Sequence, residues 1–167
     1  MIEFEPVRRE HLARVREWLG REHVRRWWHD PDRSLGHVED ALSGSDATVY
    51  YLIVVDGRPV GLIQTYLVAD YPEWEAVVGP GAGVAGVDLL IGEEGAIGRG
   101  LGPRALAQFA REIVFARPET GALVATVEEA NRRSWRAFEK AGFRHVEDVE
   151  EEGLRHRLMR LERRYAQ

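Results

Sequence analysis

The apolar run Val87-Asp88-Leu89-Leu90-Ile91, interrupted by one acid, constrains this chain more than any other feature. It leads into Gly98-Arg99-Gly100-Leu101-Gly102, and a helix is expected directly behind, from about Pro103. Alternating glycines open backbone conformations closed to other residues and allow a ligand to approach closely. The helix offers unpaired N–H groups and the positive end of its dipole, which suit a pyrophosphate. Asp88 lies inside the strand, where an acid is disfavoured without a partner or a task. It is the first candidate catalytic residue. Two plainer roles stay open: Asp88 satisfying backbone donors at a strand distortion, and the glycines merely turning strand into helix.

Composition narrows the class. The 167 residues suit a single domain with a real core, here taken as 1–167. A hydrophobic fraction of 44% and a charged fraction of 31% are ordinary for a globular chain. The net charge of -5 argues against general nucleic-acid binding and is compatible with an acidic pocket for a polycation. Zero cysteines exclude disulfides and thiol nucleophiles. His11, His23, His29, His37, His145 and His156 show no metal-ligand spacing, so no metal is expected. No apolar run approaches the roughly 20 residues of a membrane span. No signal-peptide pattern precedes the first strand, so a cytoplasmic location is expected.

Residues 2–7 read as a strand and 9–20 as an amphipathic helix through Leu12, Val15, Trp18 and Leu19. A short helix or turn carries Val24, Trp27 and Trp28 and is read as ending at Asp30-Pro31, with another helical piece over 35–43. Val49 to Val55 and Pro59 to Ala69 form a hairpin about Asp56-Gly57. Residues 70–83, rich in Pro and Gly, read as a mobile loop. Val84 to Ile91 is the central strand, and Leu106, Phe109, Ala110, Ile113 and Val114 mark a helix ending before Pro118. Leu123 to Val127 is a buried strand. A helix follows Asn131 with Trp135, Phe138 and Ala141 inside and Gly142 as its C-cap. Residues 143–150 and 154–161 pair about Gly153. The fold class is α/β.

The element order and the glycine loop resemble the GCN5-related N-acetyltransferases, whose acetyl-CoA loop is usually Arg/Gln-x-x-Gly-x-Gly/Ala. Ile97 stands here where that pattern has Arg or Gln. Asn131 and Phe138-Glu139-Lys140-Ala141-Gly142-Phe143 resemble two further family motifs. Within the superfamily, Glu17-Trp18-Leu19, His23-Val24, Trp27-Trp28, Gly61-Leu62-Ile63-Gln64-Thr65-Tyr66 and Gly86-Val87-Asp88 are similar to stretches of the aminoglycoside 6'-N-acetyltransferases. The siderophore N-acyltransferases share the glycine loop and place His where this chain has Asp88.

The resemblance implies a mixed, mostly antiparallel sheet flanked by helices, acetyl-CoA as co-substrate, and direct transfer to the 6'-amine of an aminoglycoside in a ternary complex. Asp88 would bind and deprotonate the amine. Main-chain groups of Leu89, Leu90 and Ile91 would hold the thioester, with an N–H near Leu90 polarising its carbonyl. Ile97, Gly98, Arg99, Gly100, Leu101, Gly102 and Arg104 would hold the phosphates. Asn131, Trp135 and Phe138 complete the expected cofactor contacts, although Asn131 suits a plain helix cap equally. Many family members have Tyr at position 138 as the acid for the leaving thiolate, and Phe138 has no proton to give.

Expected acceptor contacts are Trp27, Trp28, Tyr66, Asp70, Glu73, Trp74 and Glu128. Aromatic faces suit sugars and cations, and the carboxylates suit a small polycationic amine. Core packing for the tryptophans and a solvated loop for the acids are the plainer readings. The acidic run 147–152 reads as a solvated turn. The arginines of 8–26 read as exposed helix faces partnered by Glu10, Glu17 and Glu22. Other small-amine acyltransfer, protein N-terminal acetylation and non-catalytic CoA binding are the rivals. A monomer or homodimer is expected.

Overall fold

A computed structural model describes residues 1–166; Gln167, the last residue of the expected domain, lies outside the described residues. Seven strands form one sheet in the order β1-β2-β3-β4-β5-β7-β6, comprising β1 (Ile2–Pro6), β2 (Val49–Val55), β3 (Arg58–Leu67), β4 (Val84–Ile91), β5 (Ala122–Glu128), β6 (Arg144–Glu151) and β7 (Leu154–Glu162). The β1–β2, β2–β3, β5–β7 and β6–β7 pairs are antiparallel, and β4–β5 is parallel. The β4–β5 register pairs Val84, Ala85 and Gly86 with Ala122, Leu123 and Val124.

The helices are α1 (Leu12–Gly20), α2 (Glu22–Arg25), α3 (Pro31–Ser43), α4 (Pro72–Val78), α5 (Leu101–Phe109) and α6 (Arg132–Lys140). Both hairpin turns place two successive residues at positive φ, Asp56-Gly57 and Glu152-Gly153. That conformation matches the right-handed twist of the strands they join.

Three boundaries differ from the sequence reading. Asp30-Pro31 begins a helix instead of ending one. The Asp30 carboxylate accepts the Arg33 N–H at 3.0 Å, and Pro31 occupies the first turn, where its missing N–H costs nothing. Residues 70–83 are not simply a loop, because α4 occupies 72–78. Pro72 and Gly79, read as breakers, are its start and its end. Helix α5 begins at Leu101, two residues before Pro103, and runs on into a π-helical turn over Ala110–Val114.

The chain divides into two compact units, and the division cuts β3 after Thr65 and β4 after Val87. The first holds Met1–Thr65 and Asp88–Arg99; its core gathers Val15, Trp18, Leu19, Val38, Leu52, Leu62 and Leu90. The second holds Tyr66–Val87 and the chain from Gly100; Val68, Val84, Ala122, Val124 and Leu158 form a core cluster there. Each fully buried side chain of this size contributes about 1.5–3 kcal/mol of burial.

Candidate active site

Within the first unit, Asp88 sits half-buried on β4, and Gln64 of β3 donates an Nε2–H to its Oδ2 at 3.3 Å. The Gln64 Oε1 is buried without a partner among the described residues. An amide oxygen left unpaired costs about 1–3 kcal/mol, a cost seen mostly where polarity serves a purpose. Leu90 is buried in the core, so any role in transfer falls to its main chain, while Leu89 and Ile91 are half-buried.

Directly beyond β4 the chain is tightly held. Trp18 is fully buried, and its Nε1–H donates to Glu93 Oε1 at 2.9 Å. Arg21 donates to the Gly92 carbonyl at 2.8 Å, to Glu93 Oε2 at 3.0 Å and to Glu17 at 2.6 Å. His23 Nε2 lies 2.9 Å from the Ile91 carbonyl, which can only accept, so that nitrogen carries the proton. The Trp18 indole N–H, and after it the Arg21 guanidinium, hold the Glu93 carboxyl below its ordinary range. Glu93 and then Glu17 in turn raise the Arg21 guanidinium.

The loop behind this clamp has the expected form. Gly98 and Gly100 take φ of 79° and 72°, in the left-handed region, and Gly100 caps α5 with no side chain over the helix end. The N–H groups of Gly98 to Gly102 have no hydrogen-bond partner among the described residues. Such a row of free donors at a helix start fits a phosphate. Ile97 is half-buried, and Arg99 and Arg104 are exposed.

In the second unit, Asn131 caps α6, its Oδ1 accepting the Ser134 N–H at 3.3 Å. The plain capping role is thus present, and the side-chain NH₂ has no partner among the described residues. Trp135 donates to the Glu129 carbonyl at 3.0 Å, and Arg157 lies 3.8 Å from its ring centre. Phe138 is buried edge-on against Phe143, ring centres 5.0 Å apart.

The expected acceptor residues divide between the units. Trp27 and Trp28 are half-buried in the first; Trp28 packs against the core, and Trp27 has the Arg26 guanidinium 5.2 Å from its ring centre. In the second unit, the Tyr66 ring lies over Gly86 and edge-on to Tyr71 at 5.4 Å. Trp74 on α4 packs against the cluster that contains Val68 and Val84, and its Nε1 is buried without a partner among the described residues. Asp70 and Glu73 are exposed, and Glu128 is half-buried at the end of β5. The sequence reading missed Gln64, Arg21, Gly92 and Glu93 as site-building residues. Only Glu17–Arg21, four apart on one helix face, had a local signal.

An acid-bearing strand that feeds a loop of N–H groups without partners among the described residues is an arrangement suited to group transfer from a phosphorylated co-substrate. Residues 8–151 match the acetyltransferase (GNAT) domain, and the chain belongs to that family. It is 31% identical over 140 residues to the aminoglycoside N(6')-acetyltransferases type 1 of Klebsiella pneumoniae and Serratia marcescens, covering 79% of this chain and 68% of each relative. Among solved structures it is similar to aminoglycoside acetyltransferase AAC(6')-Ib in complex with coenzyme A and kanamycin. That likeness has a TM-score of 0.87 at 25% identity and covers 99% of this chain and 96% of the other. The α/β acetyltransferase fold expected from the motifs is the observed one, with its mixed, mostly antiparallel sheet. Among the described residues no helix is long and apolar enough to cross a membrane, and no cluster could hold a metal ion.

Proposed function

We propose that this chain, as one N-acetyltransferase domain, transfers the acetyl group of acetyl-CoA to the 6'-amine of aminoglycosides by direct transfer in a ternary complex. The observation that carries the reading is Asp88, held by Gln64 on the strand that runs on into a loop whose N–H groups have no partner among the described residues. The relatives named for this activity and the neighbour solved with coenzyme A and kanamycin support it.

Asp88 binds the substrate ammonium and takes its proton, directly or through one water. The freed nitrogen attacks the thioester carbonyl carbon while strand amides at Leu89 to Ile91 stabilise the developing oxyanion. The C–S bond then breaks, the acetyl group stays on nitrogen, and CoA leaves as its thiolate. Phe138 supplies no proton, so the thiolate leaves unprotonated or takes a proton from water. The loop from Gly98 to Gly102, with Ile97 before it and Arg99 and Arg104 beside it, holds the pyrophosphate. Asn131 and Trp135 line the pantetheine arm. Trp27, Trp28, Tyr66 and Trp74 offer ring faces to the sugars, and Asp70, Glu73 and Glu128 offer charge to the other ammonium groups. The siderophore alternative is disfavoured because Asp88 stands where those enzymes carry His.

The test is acetyl-CoA-dependent thiol release with paired drugs bearing a 6'-amine or a 6'-hydroxyl. Turnover should be confined to the amines. Turnover with both, or with neither in protein that binds acetyl-CoA, refutes the assignment. Asp88→Asn should lower kcat by a factor of about 100 or more while leaving acetyl-CoA affinity intact. An equal loss of affinity would remove Asp88 from its role.

A further inference from the structure

We propose that Glu93 is a positioning residue for acetyl transfer, acting through Trp18 and Arg21 to fix the chain between the acid-bearing strand and the glycine loop. The inference rests on the acetyltransfer reading above but not on the identity of the acceptor.

The tripeptide Ile91-Gly92-Glu93 is the joint between β4 and the loop, and its polar groups are engaged from both sides. The Ile91 carbonyl accepts from His23, and the Gly92 carbonyl accepts from Arg21. The Gly92 and Glu93 N–H groups both donate to the Val60 carbonyl, at 2.8 and 3.1 Å. The two Glu93 oxygens are divided between Trp18 and Arg21, with Arg14 3.9 Å from Oε1. The Trp18 ring occupies the space where a side chain at position 92 would stand, so a Cβ there would clash with the indole Cγ. An exposed ion pair alone contributes little and orders little. Here the carboxylate bridges a fully buried indole and a guanidinium that also grips the main chain, so it locks the direction in which β4 leaves the sheet.

Asp88 lies three residues before this joint and Gly98 five residues after it. One holds the amine and the other begins the phosphate cradle, so a swing at the joint moves one against the other along the chain. Displacements of about 1 Å cost on the order of 100-fold in rate when reacting groups must be aligned. Glu93 touches neither substrate in this account; its effect passes through the backbone.

The experiment uses the full chain with Glu93→Ala, Glu93→Gln and Arg21→Lys. It measures thermal midpoint, acetyl-CoA dissociation constant without acceptor, and kcat and KM for a 6'-amine aminoglycoside. Glu93→Ala should lower kcat about 30- to 100-fold and weaken acetyl-CoA binding about tenfold, with acceptor KM changed less. Glu93→Gln should recover part of both losses, because its amide oxygen still accepts from the indole while its NH₂ cannot accept from Arg21. Arg21→Lys should fall between them, since one ammonium cannot span Gly92, Glu93 and Glu17 together. A folded Glu93→Ala with wild-type kcat and acetyl-CoA affinity overturns the proposal. So does a loss that Glu93→Gln fails to recover while both variants melt as wild type. If the wild type acetylates no aminoglycoside, the acceptor assignment fails separately, and the acetyl-CoA dissociation constant decides: a tenfold weakening in Glu93→Ala supports the role of Glu93, and no change refutes it. If Glu93→Ala does not fold, Arg21→Lys decides by the same two readouts.

Discussion

The protein builds the same trio, tryptophan, arginine and glutamate, in two places and uses it differently. In the first unit Trp18 is fully buried and donates to the Glu93 carboxylate, which Arg21 grips from the other side. In the second, Trp135 is half-buried and donates to the Glu129 main-chain carbonyl, and Arg157 lies on its ring while pairing with the Glu129 carboxylate at 2.8 and 3.2 Å. The two carboxylates are about equally exposed, 36% and 39%. The difference therefore lies in the indole. One is a core element that anchors a charged joint; the other is a platform at the start of the last helix. A polar trio stiffens backbone when one member is rooted in the core, and otherwise does little more than solvate a pair.

The sharpest way to break this comparison is Gly92→Ala, for which the Trp18 ring leaves no room. It should cost about 3 kcal/mol in urea unfolding. Gly98→Ala, where nothing lies within 4 Å and only the positive φ opposes a side chain, should cost about 1 kcal/mol. Equal costs would mean that Trp18 yields and the joint is soft. Next in size is the indole itself. Trp18→Phe leaves a void and an orphaned Glu93 oxygen and should cost about 2–3 kcal/mol. Trp135→Phe loses one hydrogen bond at a half-buried position and should cost about 1 kcal/mol. The reverse order by chemical denaturation would refute the distinction.

The smallest effect is in acid. The indole N–H of Trp18, then Arg21, holds Glu93 below the ordinary carboxylate value of 4.5, and Arg157 does the same for Glu129. A depressed folded value contributes stability that is complete above 4.5 and fades as pH falls through the lowered value. The melting difference between wild type and Glu129→Gln, present at neutral pH, should therefore shrink as pH falls below 4.5 and close once the pH is under the lowered value. A difference that persists there would assign the effect to packing instead of charge.

Much of this was legible locally. The β4 strand, the glycine loop, the Asp56-Gly57 turn and the Asn131 cap each rest on residues adjacent in the chain. Local signals also misled. Pro72 and Gly79 break a helix in its interior but open and close one at its ends, and their composition alone does not say which. Asp30-Pro31 failed for the same reason. The clamp was invisible because Arg21 and Glu93 are 72 positions apart and neither differs, as a residue type, from the surface charges around it.

The family and the order of the strands were already carried by the chain, because turn chemistry, hydrophobic period and the glycine spacing act over a few residues. The sequence also singled out Asp88, since one acid in an apolar strand is conspicuous whatever surrounds it. Only the tertiary structure decided which charges are structural, because that depends on what lies within about 3 Å in space. Gly92 shows the division most plainly. In the chain it is one of 17 glycines, and only the ring of Trp18 lying across it explains why no other residue fits.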